Sequence, residues 1–316
     1  MREIGGYLEL EHFVHREYYP GLVALNTARN ALIYLCRAKG IRKVYLPYFL
    51  CGSVAEACRR EGVAVEHYAI GPDLQPRFGG AAGPGEAFYL VNYYGQLTRE
   101  EVLAQGRAHG RLVLDHVQAF FTPPPEGVDT IYSCRKFFGV PDGAYLATDA
   151  HLTGLAQDVS GGRMGHLLGR YEAPRASDYY ADFKENDRSF RELPLREMSR
   201  LTHNLLGAVD YAGAKRRREE NWAILAEALG GGNRLSLHCP EGPYAYPLYR
   251  EGGLILKKRL AERGIFVPTL WPDVPNLPGC ETERDLAENV LPLPIDQRYG
   301  PEDMKRILEE LAECSN

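Results

Sequence analysis

The sequence predicts an α/β protein: a large domain on a mostly parallel sheet flanked by helices, then a small C-terminal α+β domain. Three observations predict it. Through the first half, short apolar runs alternate with amphipathic stretches, the order produced by βαβ units. One run, FYLVNYY at 88–94, is apolar and aromatic almost throughout, as in a strand covered on both faces. Beyond the glycine triplet Gly230-Gly231-Gly232, shorter strand-like pieces lie among charged helical stretches.

Each element has its own signal. Thr27 to Lys39 places Ala31, Leu32 and Leu35 at helical spacing. VYLP at 44–47 reads as a strand, SVAEACRREG at 53–62 as a helix and VEHYAI at 65–70 as a strand. The stretch 98–110 opens with Thr98 and carries Glu101 three residues on, the capping-box spacing. RLVLD at 111–115, TIYSC at 130–134 and GAYLAT at 143–148 read as the strands that follow. Ligands of such sheets gather at the carboxyl ends of the strands. GGAAGPG at 79–85 is a loop: Pro84 interrupts it and no strand leads into it, so it is no dinucleotide fingerprint.

Residues 150–195 break the rhythm. They are rich in Arg, Tyr and Gly with weak periodicity, and read either as a surface excursion or as a segment touching substrate or a second subunit. In the second reading Arg163, Arg170, Arg175, Arg188 and Arg191 face phosphates. From about 198 to 229 the chain reads as one long helical stretch. YAYPLYR, ILKKRLAERGIFV and a last helix from Pro301 to Cys314 form the small lobe. The domain boundaries expected are 1–210 and 211–316.

Composition narrows the function classes. The formal charge of −5 and the lack of any long basic run argue against nucleic acid as a dedicated partner. No apolar run approaches the roughly 18–20 residues that span a bilayer, and the first residues lack the apolar region of a secretory signal. Seven scattered cysteines without a CxxC pair read as reduced thiols in a cytoplasm, with no structural metal site.

Two strand-end signals could carry chemistry. Asp115 follows the apolar RLVL, with Gln118 three positions on; Ser133-Cys134-Arg135-Lys136 follows TIY and precedes the turn GVPDG. A carboxylate closing a buried strand is costly unless a cation meets it. Taken alone, Asp115 is a helix cap or ion-pair partner, and Lys136 a solvated loop lysine. Together they suit pyridoxal phosphate, which needs an amine for its Schiff base and a carboxylate for its ring nitrogen. A helix start at Asn26-Thr27-Ala28 offers a phosphate site. An unperturbed lysine is neutral in only roughly one molecule in 2,500 at pH 7, so a lysine with this task calls for desolvation or a nearby positive charge.

These segments, in this order, resemble the DegT/DnrJ/StrS family of fold-type I, pyridoxal-phosphate-dependent sugar aminotransferases. The likeness covers the opening phosphate-site helix and the following strand and helix, VNYYGQ (91–96), LVLDHVQAF (112–120), RKFFGVPDGAYLAT (135–148), RLAERGIFV and NVLPLPI. The resemblance implies the fold-type I architecture, with a sheet of a seven-stranded type, and a set of roles. Lys136 is the Schiff-base lysine and proton shuttle, Asp115 the partner of the pyridinium nitrogen, and Gln118 a neighbour of the ring's phenolic oxygen. Asn26, Thr27, Ala28 and Ser133 hold the phosphate, and Cys51 stands where the family stacks an aromatic on the ring, with Tyr48 and Phe49 nearby. At the segment Leu195-Arg196-Glu197-Met198-Ser199 the family carries a partner-subunit phosphate contact, an asparagine that this chain lacks. The implied activity moves an amino group from glutamate or a similar donor to a keto sugar, a nucleotide-linked sugar being one form of acceptor, in a cytoplasmic homodimer. Two alternatives stay open: another pyridoxal-phosphate reaction such as a lyase or decarboxylase, and a non-catalytic binding or regulatory protein.

Overall fold

The computed structural model describes residues 6–173, 175–272, 274 and 280–314. Its first strand, β1 (Val23–Leu25), leads into α1 (Ala28–Lys39), whose start is set by the Thr27 side chain accepting from the Asn30 N–H. There follow β2 (Lys43–Pro47), α2 (Gly52–Arg60), β3 (Ala64–Ile70), the two-residue β4 (Pro76–Arg77), β5 (Glu86–Val91), α3 (Arg99–His109), β6 (Leu112–Asp115), β7 (Asp129–Ser133) and β8 (Ala144–Ala147). The capping box of α3 forms as its spacing predicts, each of Thr98 and Glu101 bonding the other's backbone N–H.

The eight strands make one sheet in the order β1-β8-β7-β6-β5-β2-β3-β4. The central pairs β7–β6, β6–β5, β5–β2 and β2–β3 are parallel, as the alternation of strands and helices requires; β1–β8, β8–β7 and β3–β4 are antiparallel. The sheet is thus mostly parallel, with eight strands where a seven-stranded type was expected. Neither β1 nor β4 has enough residues to show a period. The strands β2, β5, β6 and β7 are buried almost end to end, as expected of a sheet covered on both faces.

Three further expectations are corrected. The run 88–94 is not strand to its end: β5 stops at Val91 and Tyr93–Gly95 turn tightly, with Tyr94 and Gly95 both at positive φ (55° and 76°). Residues 150–195 contain two helices, α4 (Gly165–Glu172) and α5 (Tyr180–Ser189). The stretch 198–229 is two helices, α6 (Arg200–Leu206) and α7 (Tyr211–Leu229), because Asp210 caps a new start by accepting from Gly213 N–H.

The chain ends with β9 (Tyr246–Tyr249), α8 (Gly253–Glu262), α9 (Glu281–Asn289), β10 (Val290–Leu293) and α10 (Pro301–Cys314). β9 and β10 pair antiparallel, and Trp222, Leu225, Tyr246, Leu248, Leu260, Leu291, Met304 and Ile307 pack into a core of their own. A larger core lies under the sheet, and an aromatic one around Phe120, Phe121, Tyr132, Phe137 and Phe138 sits beside the turn that follows β7. No helix among the described residues is long and apolar enough to cross a membrane. Cys36, Cys51, Cys58, Cys134, Cys239 and Cys314 are free thiols.

Candidate active site

Parallel pairing brings the carboxyl ends of β5, β6 and β7 to one edge. Val91, Asp115 and Ile131 lie in register across the three strands. Ser133 therefore stands two residues further along β7, and Cys134–Lys136 form a 3₁₀ turn beyond it. Asp115 is the last residue of β6 and is buried. Its Oδ2 accepts from the Tyr89 hydroxyl (2.8 Å) and its Oδ1 from the Val117 N–H (2.8 Å). Burial pushes its carboxyl up to about 6, opposed by those two donors and by the charge of Lys136. Lys136 is exposed, and its amine makes no hydrogen bond among the described residues. The structure thus brings together a buried carboxylate in need of a cation and an accessible amine within electrostatic reach of it.

Gln118 faces the same edge. Its Oε1 accepts from the Tyr94 N–H (2.8 Å), which leaves its side-chain N–H₂ without a partner among the described residues. That bond needs the tight turn after β5, where Gly95 at φ 76° lies so near Pro240 that a Cβ would come within 2.9 Å of it. His116, between Asp115 and Gln118, is buried; its Nε2 meets the Asn92 amide (3.2 Å), and burial lowers its pKa to about 3. It is a neutral packing group, and Asn92 in turn accepts from the Leu97 N–H (2.8 Å) to brace the turn.

The start of α1 lies two strands away from Ser133, because Ala144 pairs with both Leu25 and Ser133. Hydrogen bonds close the gap: Gly143 N–H donates to the Asn26 carbonyl (2.8 Å) and Cys134 N–H to the Gly143 carbonyl (3.1 Å). The amides of Ala28 and Arg29, at the open end of the helix, have no acceptor among the described residues, and neither has the Ser133 hydroxyl. Asn26 is engaged within the protein: its amide N–H₂ donates to Asp158 Oδ2 (3.2 Å) and the Pro194 carbonyl (3.0 Å), while its Oδ1 accepts from Asn30 (2.8 Å). It holds the helix start in place. Cys51 is exposed at the head of α2 with its sulfur 3.0 Å from Ser53 Oγ. Phe49 is buried against Tyr93 and Trp271, and Tyr48 stacks on His67.

Sequence reasoning missed several groups here. Tyr89 is hidden in an apolar run where nothing marks its hydroxyl. Asp142, in the turn after Lys136, accepts from Ser199 N–H (3.0 Å), Ser199 Oγ (2.8 Å) and the Thr202 hydroxyl, tying the lysine turn to the head of α6. On its other side, Arg218 (3.3 Å) and Gln297 (2.8 Å) both donate to the Phe137 carbonyl. Of the arginines expected to face phosphates, Arg163 turns inward onto Asp158 (2.8 Å), and the exposed Arg188 pairs with Glu185.

Asp115 and the turn that bears Lys136 thus stand at the carboxyl edge of a mostly parallel α/β sheet, near the start of α1. No family model and no curated protein sequence matches the chain. Solved structures match it closely in fold. A DegT/DnrJ/EryC1/StrS aminotransferase from Brucella abortus superposes with a TM-score of 0.60 at 15% identity, over 92% of this chain and 85% of its own. The sugar aminotransferase CalS13 from Micromonospora echinospora gives 0.62 at 14% identity, over 93% and 87%. NtdA from Bacillus subtilis, with bound cofactor PMP, gives 0.64 at 15% identity, over 93% and 73%. At these identities the likeness is one of fold.

Proposed function

We propose that the protein is a pyridoxal-phosphate-dependent aminotransferase that passes an amino group from glutamate or a similar donor to a keto sugar, a nucleotide-linked sugar being one form of acceptor. The observation that carries this reading is the buried Asp115 at the end of β6 with the charge of Lys136 within electrostatic reach of it. The residues fit the cofactor: among the described residues, the amides that begin α1, the Ser133 hydroxyl and the Gln118 N–H₂ have no partner. When bound, pyridoxal phosphate supplies an electron sink that stabilises negative charge on the substrate's α-carbon.

The chain's own residues do the rest. Asp115, held by Tyr89 and Val117, presents a carboxylate to a protonated ring nitrogen and keeps that proton in place. Lys136, at the tip of a turn clamped from both sides, would hold the cofactor through its amine nitrogen with loss of the carbonyl oxygen as water, and, once displaced by the donor's amine, would take and return a proton at that nitrogen. The amides of Ala28 and Arg29 and the Ser133 hydroxyl would hold the phosphate, and Gln118 would donate to the phenolic oxygen. The accessibility of Lys136 leaves room for donor and acceptor in turn. A homodimer follows from the family resemblance. The similarity in fold to CalS13 supports a sugar as acceptor.

The test is an absorbance spectrum of the protein with added pyridoxal phosphate, before and after borohydride, beside Lys136→Ala. A visible band that borohydride removes, with covalent label at Lys136 by mass spectrometry, is expected in the wild type only. Bleaching of that band by glutamate separates transamination from lyase chemistry. A protein that takes up no pyridoxal phosphate overturns both and leaves a non-catalytic relative.

A further inference from the structure

Arg163 turns inward, and its contacts join two parts of the candidate site that lie far apart in sequence. Its Nη2 is 2.8 Å from Asp158 Oδ2 and 3.9 Å from Asp142 Oδ2. Asp142 stands in the turn that follows Lys136. Asp158 accepts from the side-chain amide of Asn26 (3.2 Å), the residue just before the Thr27 cap of α1. Gly143, next to Asp142, donates its N–H to the Asn26 carbonyl (2.8 Å). The contacts therefore close a ring from Asp142 through Arg163, Asp158, Asn26 and Gly143. Arg163 also reaches the other flank of the lysine. Its guanidinium lies 5.6 Å from the centre of the Phe190 ring, and the same ring carries Arg135, the neighbour of Lys136, at 3.8 Å.

This ring depends on its one bridging cation. Asp142 and Asp158 are both buried, and both reach the same nitrogen. Ser199 and Thr202 donate to Asp142, and the Val159 N–H (2.8 Å) donates to Asp158. Those bonds satisfy each carboxylate within its own neighbourhood and leave two like charges side by side, which repel strongly where water is excluded. Arg196 approaches Asp158 on its other oxygen, at 3.7 Å, with a largely solvated side chain. The segment that supplies Arg163 is itself anchored: the Asp158 N–H donates to the Glu197 carbonyl (3.0 Å), and Ser160 Oγ lies 2.6 Å from Ser199 Oγ.

We propose that Arg163 is a positioning residue that sets the separation between the Lys136 turn and the start of α1, so that one ligand can engage the amine and the helix start together. The inference rests on the function proposed above for the identity of that ligand; the spacing itself rests on the ring of contacts. Arg163 acts through Asp142 and Asp158 rather than on the ligand.

The experiment compares the whole chain with Arg163→Met and Arg163→Lys by two readouts. The first, without cofactor, is amide exchange at Cys134 and Gly143, whose N–H groups close the turn and tie it to Asn26, with the β9–β10 amides as reference. The second is affinity for pyridoxal phosphate and for pyridoxal, which lacks the phosphate, by tryptophan fluorescence. Arg163→Met is expected to speed exchange at the two amides about tenfold with the reference unchanged, and to weaken pyridoxal phosphate about tenfold with pyridoxal little changed. Arg163→Lys, which keeps the charge without the planar fork, is expected to fall between. Exchange unchanged at the two amides, or sped equally in β9–β10, overturns the proposal, as does weakening of both ligands equally or of neither. A chain that takes up neither ligand but shows the local change in exchange keeps the spacing role and removes the cofactor reading. If Arg163→Met fails to fold, Arg163→Lys decides: a smaller local change in exchange is expected, and none overturns the role.

Discussion

At Asp115 stability and function pull in opposite directions. Its carboxyl sits near 6, against about 3.9 for a free aspartate, because burial disfavours the anion. The native state of the cofactor-free protein therefore holds this proton more tightly than the unfolded chain does. The sign follows: as pH rises from about 4 to about 6, this one group lowers fold stability by about 3 kcal/mol, and the loss persists above pH 6. Asp115→Asn removes the buried charge while its amide still meets Tyr89 and Val117. The expected result is a higher thermal midpoint for the cofactor-free variant at pH 8, a flatter profile between pH 4 and 6, and weaker uptake of pyridoxal phosphate. An unchanged pH profile by thermal unfolding would refute this account. Asp115, Gln118, Ser133 and Lys136 were legible in the sequence because each is a polar residue at or just past the end of an apolar run. Tyr89 was not, since its hydroxyl matters only because β5 and β6 pair in one register.

Among elements, local signals held where a side chain caps its own helix. The Thr98–Glu101 box closes α3, and Thr98→Ala is expected to cost about 1 kcal/mol in urea unfolding, with no effect on cofactor uptake. The lysine turn depends on distant elements instead. Gly143 has φ 115°, and a Cβ there would lie 3.0 Å from Thr202 and 3.3 Å from Cys134. Gly143→Ala is therefore expected to destabilise the fold by about 1–3 kcal/mol and to weaken cofactor uptake together, because it spreads the turn that bears Lys136. Full stability with weakened uptake, or the reverse, would count against this coupling. The long helix expected over 198–229 split because a composition favourable to helix does not reveal where an aspartate will cap a new one. FYLVNYY read as strand to its end because apolar residues serve a tight aromatic turn as well as a strand.

In the molecule as a whole, the C-terminal lobe reaches the lysine turn through Arg218. This side chain is 1% exposed, donates to Gln297, to the Pro243 and Tyr244 carbonyls and to Phe137, and stacks on the Phe137 ring. Arg218→Met keeps the length but strands several carbonyls, at an expected cost of about 1–3 kcal/mol after relief of the buried charge. Faster amide exchange at residues 137–140 should accompany that loss; exchange unchanged there, despite lower stability, would show that the two lobes are not coupled through this contact. The sequence by itself determined the alternation of strand and helix, the mostly parallel sheet, and the strand-end residues, because periodicity and burial act over neighbours along the chain. Only the tertiary structure decided that β8 runs antiparallel between β1 and β7, that Asn26 is a brace, and that Asp142 and Arg218 grip the lysine turn from opposite sides. Each depends on which distant groups arrive beside it, and a hydrogen bond or a bare charge exists only once packing has chosen its neighbours.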